Sequence, residues 1–162
     1  MFNIHEGIDS TILILKHRLK ANEQRPAIEV VTNYSNLPQV ECFSGQLNQV
    51  FMNILANAIH ALEESNIGRS FEDIQANPNR ITISTSIIDN LVQIAITDNG
   101  KGISEAVKSK IFDHLFTTKG VGKGTGLGLA SARQIVEEKH CGKITVNSIL
   151  GEGTEFIIQL PV

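Results

Sequence analysis

Apolar residues recur at helical spacing in three stretches of this chain, and they alternate with polar residues in the shorter stretches between. Helices are predicted over residues 5–22 and 45–63, the second with Ser44 as its N-terminal cap, and a third helix follows Thr125 and ends near Gly142. Strands are predicted over residues 27–33, 81–88, 91–98, 143–148 and 154–160. Asp89 and Asn90 form a two-residue junction that suits a hairpin turn, which indicates antiparallel pairing.

Two long stretches lack such periodicity and are predicted to be loops. Residues 65–79 contain Gly68 and Pro78 and are predicted to form a variable loop. Seven of the 13 glycines lie between Asn99 and Leu129, so residues 99–126 are predicted to form one long loop. Loops of this length are uncommon in compact domains and are usually lids or binding loops.

The composition fits one compact domain over residues 1–162, because 41% of the residues are hydrophobic and 19% are charged. The formal net charge is −3, from 14 basic and 17 acidic residues. Such a charge creates no field that gathers nucleic acid or anionic lipid. We therefore expect no nucleic-acid partner, and any phosphate binding has to be local.

The sequence also bears on location. No stretch approaches the ~20 apolar residues needed to span a bilayer, so no direct membrane insertion of this segment is expected. Cys42 and Cys141 lie far apart and form neither a CxxC pair nor a dense disulfide framework. Two buried thiols in a reducing cytoplasm are expected, although a single disulfide is also compatible with the sequence. The prediction is a cytoplasmic segment.

A row of polar side chains borders the apolar stripe of the predicted helix 45–63. At about 100° per residue, Gln49, Asn53, Asn57 and His60 share this row. Amides are poor helix formers, and amide oxygens are hard ligands of the kind that Mg²⁺ prefers. The row is therefore either a site for a polar ligand or a solvated face that is rich in asparagine, and the helix alone leaves both readings open.

Asp98 shares the period-two register of the apolar residues Val92, Ile94 and Ile96, so its carboxylate is predicted to face the core. A buried carboxylate needs hydrogen-bond donors, and the amino group of a planar base would supply one. Gly100 and Gly102 would allow close approach of the backbone on the adjoining turn. The alternative is an aspartate that only ends the strand and caps the turn.

Two glycine-rich turns adjoin these features. Thr154 shares the register of the apolar residues of the last strand and is predicted to point inward, although the preceding glycines are also explained by a simple hairpin turn. Residues 122–128 run into a helix, whose N-terminal N–H groups suit a phosphate. Their spacing fits neither the dinucleotide-binding nor the P-loop pattern. Lys119 and Lys123 add positive charge there, or are merely solvated.

Read in order, these segments resemble the N, G1, F, G2 and G3 boxes of the ATP-binding domain of sensor histidine kinases. That domain belongs to the superfamily shared with type II topoisomerase, Hsp90 and MutL ATPases. The resemblance covers roughly residues 5–161. The matching segments are Asn53 to Ala58, Asp98 to Ile103, Ile111 to Lys119, Gly124 to Leu129, and Gly151 to Thr154.

The resemblance implies a fold and a ligand. The fold would be an α+β, two-layer α/β sandwich (the Bergerat fold), with a mixed, mostly antiparallel sheet and helices packed on one face. The ligand would be ATP with Mg²⁺, held between the amide-bearing helix and the glycine-rich lid. Asn57 would be the main protein ligand of Mg²⁺, and Asn53 would lie beside the phosphates.

The remaining motif residues are assigned to the nucleotide by the same resemblance. Asp98 would accept a hydrogen bond from the adenine amino group, Gly102 would line the base, and Thr154 would complete the contact. Phe116 would anchor the lid, while the role of His60 stays open. The other predicted contacts are Lys119 and Lys123, the backbone N–H groups of Gly126, Leu127 and Gly128, and the neighbouring motif residues Gly100, Ile103, Gly124 and Thr125.

Two departures from the superfamily pattern narrow the range of functions that the resemblance implies. The ATPases carry a water-activating Glu four residues before the first Asn, where this chain has Gln49, whose amide cannot take a proton at neutral pH. His5 and Glu6 look like the phosphoacceptor pair of the kinases, but only about forty residues separate them from the helix that carries the N box, so His5 is not predicted to be the phosphorylated residue.

These features predict a histidine kinase catalytic domain that lacks its dimerisation and phosphoacceptor domain. Its expected partners are a histidine-containing dimerisation domain of the same full-length protein, which could itself be membrane-anchored, and a downstream response regulator. Two alternatives are an ATP-hydrolysing conformational clamp of the topoisomerase or Hsp90 kind, and a degenerate nucleotide-binding scaffold.

Overall fold

A computed structural model describes residues 1–112 and 128–162 of the chain. Six α-helices are present in the described residues: α1 (Ile4–Ile14), α2 (Lys16–Leu19), α3 (Ser44–Ser65), α4 (Phe71–Ala76), α5 (Glu105–Lys108) and α6 (Gly128–Gln134), which a π-helical turn continues over Ile135–Lys139. The strands are β1 (Glu29–Asn33), β2 (Arg80–Ile88), β3 (Leu91–Asp98), β4 (Lys143–Ile149) and β5 (Gly153–Pro161).

The five strands form one mixed sheet in the order β1-β2-β3-β5-β4. β1 pairs with β2 in parallel, and the other three pairs are antiparallel. Asp89 and Asn90, which join β2 to β3, both have positive φ angles, of 49° and 64°. These are the angles that a two-residue hairpin turn requires, so the predicted hairpin is confirmed.

Helices cover one face of this sheet, as predicted. α3 contacts α1, α6 and β3, and its apolar stripe is buried among them. Along β3, the alternating residues on the covered face are buried, while those between them are half-buried. The opposite face is more polar: the Gln159 amide donates to Gln93 at 3.0 Å, and the Thr97 hydroxyl donates to Glu155 at 3.2 Å. The predicted two-layer α/β sandwich is therefore confirmed.

The first helix is shorter than the predicted range of residues 5–22. It breaks at Leu15, whose ψ of 2° leaves the helical range while its side chain is buried in the core. The second piece ends at Leu19, well before Pro26. The Arg25 guanidinium, buried to 4% exposure, donates to the carbonyls of Arg18 and Lys20, so a tertiary contact satisfies the end of this helix.

Three local predictions differ from the structure. Ser44 is the first helical residue of α3 rather than its cap; Phe43 holds the cap position, without a side-chain hydrogen bond. The predicted loop 65–79 contains α4, because Ser70 and Asp73 exchange the two hydrogen bonds of a capping box. The predicted loop that begins at residue 99 contains α5, which Ser104 caps through the Val107 N–H.

Two further observations concern the state of the cysteines and the ability of the helices to span a membrane. Cys42 is half-buried and Cys141 is exposed, and neither forms a disulfide, so the expectation of two buried thiols is wrong for Cys141. Cys141 follows the π-helical turn with a positive φ of 55°, at the surface where the chain reverses towards β4. None of the described helices is long and apolar enough to cross a bilayer.

Candidate nucleotide-binding site

Three polar side chains lie in one row across the end of the sheet, on the face that the helices cover. Asp98 of β3 is paired in register with Thr154 of β5, and Thr154 is paired with Ser148 of β4. Each shares the face of the inward-pointing apolar residues of its own strand. Asp98 lies two residues after Ile96, Ser148 two residues after Val146, and Thr154 two residues before Phe156. The sheet therefore carries a polar patch where its apolar rows end, next to the turns that connect to the helical layer.

Asp98 is the most strongly constrained member of this row. Its side chain is only 3% exposed, and its Oδ1 accepts a hydrogen bond from the Gly100 N–H at 2.9 Å. Burial raises the pKa of Asp98 to about 6, against the effect of hydrogen bonds from the backbone N–H groups of Gly100 and Thr154. The carboxylate thus faces the core, as its register predicts, and it also caps the following turn.

Glycines let the turns around Asp98 close tightly. A Cβ at Gly153, where φ is +125°, would lie 2.1 Å from the Asp98 carbonyl oxygen, and a Cβ at Gly102, where φ is +71°, would lie 2.3 Å from the Ile149 carbonyl oxygen. A Cβ at Gly100 would lie 2.9 Å from Asp98 Oδ1 and 3.2 Å from the carbonyl oxygen of Ala61 in α3. No other residue type fits the first two positions without moving the backbone.

Ser148 connects the two turns. Its Oγ accepts a hydrogen bond from the Ile103 N–H at 2.8 Å, donates to the Gly153 carbonyl at 2.8 Å, and lies 3.1 Å from the Thr154 hydroxyl. Thr154 is itself buried, at 6% exposure. Sequence reasoning missed Ser148, although its period-two register with Ile144 and Val146 is the same signal that identified Asp98.

The polar row of α3 runs along the edge of the covered face. Gln49 is exposed and donates to the Asn53 side chain at 2.8 Å, and Asn53 donates to the Gly128 carbonyl, at the start of α6, at 2.9 Å. Asn57 is half-buried and makes no side-chain hydrogen bond to any part of 1–112 or 128–162. Apart from the exposed Gln49, the row is therefore half-buried at the border of the core.

The C-terminal part of α3 meets the turn that follows β3. The Glu64 carboxylate contacts His60 Nδ1 at 2.8 Å and Lys101 Nζ at 2.5 Å. The distance along a helix from Asn53 to Ala61 is about 12 Å, at 1.5 Å per residue. One side of α3 therefore connects the start of α6 to the Asp98 turn, and Asn57 lies between these two contacts.

Seven predicted site residues lie outside the described ranges: Phe116, Lys119, Lys123, Gly124, Thr125, Gly126 and Leu127. Gly128 belongs to the same glycine-rich motif as the last four of these residues, and it is the first residue of α6. Phe112, in the preceding motif, packs edge-to-face on Phe156 with ring centroids 6.2 Å apart, and the Arg133 guanidinium lies 5.7 Å from its centroid. This motif is therefore attached to the sheet at Phe112, a contact that the sequence analysis did not assign.

The residues present suit ATP and Mg²⁺. Asn57 offers an amide oxygen, which is a hard metal ligand, and its side chain has no hydrogen-bond partner in the described residues. It lies on the helix face that connects the two ends of the site. Asp98 offers a buried carboxylate with acceptor capacity beyond the hydrogen bonds it receives from the backbone. The described residues contain no cluster of three His, Cys, Asp or Glu side chains that could hold a metal. A cation here would thus need amide, water and phosphate oxygens.

Comparisons with known proteins identify the family. The family described as "Histidine kinase-, DNA gyrase B-, and HSP90-like ATPase" matches residues 44–162. The chain belongs to this family of ATPases and kinases. Its similar proteins include sensor histidine kinases, and the domain is the ATP-binding domain of that class.

Two curated kinases illustrate the similarity. The chain is 35% identical over 162 residues to the sensor histidine kinase ZraS of Escherichia coli (strain K12), a match that covers 97% of this chain and 31% of ZraS. It is 38% identical over 127 residues to sporulation kinase E of Bacillus subtilis (strain 168), covering 78% of this chain and 15% of that kinase. The chain thus spans less than a third of either relative.

Solved structures share the fold. The nucleotide-free catalytic domain of histidine kinase ThkA superposes with a TM-score of 0.78 at 28% identity, covering 99% of this chain and 93% of that one. A crystal structure of ThkA in complex with the response regulator protein TrrA matches with a TM-score of 0.71 at 24% identity, covering 99% of this chain and 40% of that one.

Proposed function

We propose that this domain binds ATP with Mg²⁺ and donates the γ-phosphoryl group to a histidine on a separate dimerisation domain. The observation that carries the proposal is the buried Asp98 at the end of the sheet, joined by α3 to Asn57 and Asn53. A buried carboxylate without a cationic partner is costly in a purely structural role, because burial penalises its charged form. A ligand that donates to it offsets that cost.

Asp98 selects the base in this proposal. Its carboxylate accepts from the adenine amino group, with Gly100, Gly102 and Ile103 forming the adjoining wall and Thr154 completing the contact. The glycine positions support this role, because the turns at Gly102 and Gly153 pack directly against neighbouring backbone and keep the paired residues Asp98 and Thr154 at the same end of the sheet. His60, held by Glu64, lies on the α3 side of the same end.

Asn57 and Asn53 serve the phosphate end. Asn57 would supply the protein's oxygen ligand to Mg²⁺, and Asn53 would border the phosphates where it contacts Gly128. The bound Mg²⁺ would neutralise charge on the phosphate oxygens during transfer. We assign phosphate contacts to Gly128 and to residues outside the described ranges, namely Lys119, Lys123, Gly124, Thr125, Gly126 and Leu127, with Phe116 as the lid anchor.

The reaction is transfer rather than rapid hydrolysis. In the transfer, the bond from the γ-phosphorus to the β,γ-bridging oxygen breaks, a phosphorus–nitrogen bond to the acceptor imidazole forms, and ADP leaves. Gln49 cannot activate water as a general base, and its amide is engaged with Asn53. The clamp and scaffold alternatives are not favoured by the kinase relatives. Since ThkA forms a complex with a response regulator protein, we extend the proposal to a response regulator as the final phosphoryl acceptor.

The test is phosphoryl transfer between separate domains. The chain is mixed with a dimerisation domain of its own class and γ-labelled ATP with Mg²⁺, and acid-labile, alkali-stable label is expected on the dimerisation domain. Asp98→Asn should abolish most of the transfer, whereas the exposed Asp89→Asn, in the hairpin turn, should leave it unchanged. Label that accumulates only as free phosphate would instead support the ATPase alternative.

A further inference from the structure

We infer that Ser148 is a positioning residue for nucleobase selection: it fixes the Thr154 hydroxyl as a hydrogen-bond acceptor towards the base. This inference rests on the proposed function, because it assumes that Asp98 and Thr154 face adenine. Ser148 belongs to none of the motif segments, and its role follows from three hydrogen-bond distances around one oxygen.

The partners of the Ser148 hydroxyl determine the direction of its contact with Thr154. A hydroxyl has one proton to donate and two lone pairs to accept with. The Gly153 carbonyl, 2.8 Å away, can only accept, so it takes the Ser148 proton. The Ile103 N–H, also 2.8 Å away, can only donate, so it occupies one lone pair.

One lone pair of Ser148 therefore remains for the Thr154 hydroxyl, which lies 3.1 Å away. Since the Ser148 proton is already donated, Thr154 must be the donor in this contact. The Thr154 oxygen then has only lone pairs left for any other partner. It can accept from an amino group, directly or through a water, but it cannot donate to a carbonyl.

This polarity matches the neighbouring carboxylate. Asp98, paired in register with Thr154, is ionised above its pKa of about 6 and then also offers acceptors only. Two adjacent acceptors favour the 6-amino group of adenine and disfavour the 6-carbonyl group of hypoxanthine or guanine. Ser148 also holds the Ile103 end of the turn, so the wall beside the base and the polarity of Thr154 depend on the same side chain.

The test compares ATP with inosine 5′-triphosphate, which replaces the 6-amino group by a carbonyl. Dissociation constants for both, with Mg²⁺, are measured by calorimetry on the chain and its variants. Wild type should prefer ATP. Ser148→Ala should reduce that preference by about five- to tenfold, the range of one hydrogen bond. Thr154→Val should reduce it similarly, and the double variant should reduce it no further than either single variant.

Two control variants keep the outcomes distinct. Ser86→Ala, on the opposite face of β2, should leave the ATP preference unchanged, and Ser148→Thr, which keeps the hydroxyl, should retain it. If Ser148→Ala does not fold, Thr154→Val alone decides, because an unchanged preference in that variant overturns the inference. Equal preference in wild type and in folded Ser148→Ala also overturns it, whereas failure of wild type to bind ATP at all overturns the proposed function itself.

Discussion

At the Asp98 end of the site, hydrogen bonds and backbone contacts fix almost every group. At the Asn57 end, the side chains are half-buried and fewer contacts hold them. Asp98, Thr154 and Ser148 share a cross-strand row, and glycine turns close over it. Along α3, by contrast, Asn53 contacts Gln49 and Gly128, and Asn57 has no side-chain hydrogen bond among the described residues.

The difference corresponds to two kinds of recognition. A planar base is recognised by donors and acceptors held at fixed positions, so a rigid, buried sheet end suits it. Mg²⁺ usually keeps several waters and binds substrate phosphates together with only one or two protein oxygens, so the protein needs to supply fewer fixed groups at that end. Changes at the sheet end should therefore alter folding and base selection, and changes on α3 should alter the Mg²⁺ dependence of binding.

Gly153→Ala is expected to have the largest effect. The new Cβ would lie 2.1 Å from the Asp98 carbonyl oxygen, at a φ of +125° that only glycine adopts readily. We expect a loss of about 3 kcal/mol in the free energy of unfolding, measured by urea denaturation. Gly151→Ala is the matched control in the same turn: its φ is +89°, but nothing lies within 4 Å of the added atom. That variant should lose only about 1 kcal/mol, and an equal loss in both would contradict the close-packing argument.

Asp98→Asn should affect ATP binding next most strongly. The substitution replaces a charged acceptor by an amide that also presents donors, so we expect ATP to bind about 30-fold more weakly. The fold should persist, because the buried charge is removed rather than added. Calorimetry with ATP and Mg²⁺ measures the effect, and circular dichroism checks the fold. Affinity equal to that of Asp89→Asn would exclude Asp98 from base recognition.

The pH dependence of binding follows from the raised pKa of Asp98. Because that pKa is about 6, only about a tenth of the protein carries the carboxylate at pH 5, and ATP should bind about tenfold more weakly there than at pH 7.5. The phosphates of ATP titrate in the same range, so the measurement is the difference between wild type and Asp98→Asn. Parallel pH profiles for the two proteins would rule out Asp98 as the titrating group.

The same shift affects folding with a definite sign. The folded-state pKa of Asp98 lies above its unfolded value of about 3.9, so the folded protein binds more protons between these values. Its contribution to the free energy of unfolding is therefore largest below pH 4 and falls as the pH rises through 6. Urea denaturation at several pH values should show this decline in wild type and not in Asp98→Asn.

The two ends of the site were not equally predictable from the sequence. Period-two register identified Asp98 and Thr154, because an alternating strand with one buried face leaves no choice of side for a residue within it. Ser148 obeys the same rule, but its residue type did not single it out, because a serine near a turn has many ordinary explanations. The amide row of α3 was predicted as a pattern, while the contact from Asn53 to Gly128 depends on how α6 packs.

Elements set by distant contacts were the least predictable. The end of α2 depends on Arg25, which reaches back to the carbonyls of Arg18 and Lys20. The break at Leu15 accompanies the burial of that side chain in the core. The parallel pairing of β1 with β2 joins segments separated by α3 and α4, and no local pattern encodes it. By contrast, the capping box at Ser70 and Asp73 is a local signal that could have revealed α4.

Asn57→Ala is expected to have the smallest effect, and a selective one. Loss of the amide oxygen should weaken ATP binding about fivefold when Mg²⁺ is present and should change it little in EDTA. Gln46→Ala removes an exposed amide from the same helix, about three turns away, and should change neither value. Calorimetry on both variants, with and without Mg²⁺, separates a metal ligand from a helix-stabilising residue. If chelation weakens wild type and Asn57→Ala by the same factor, the oxygen ligand must be another group, and α3 would then contribute to binding only by holding Asn53 against α6.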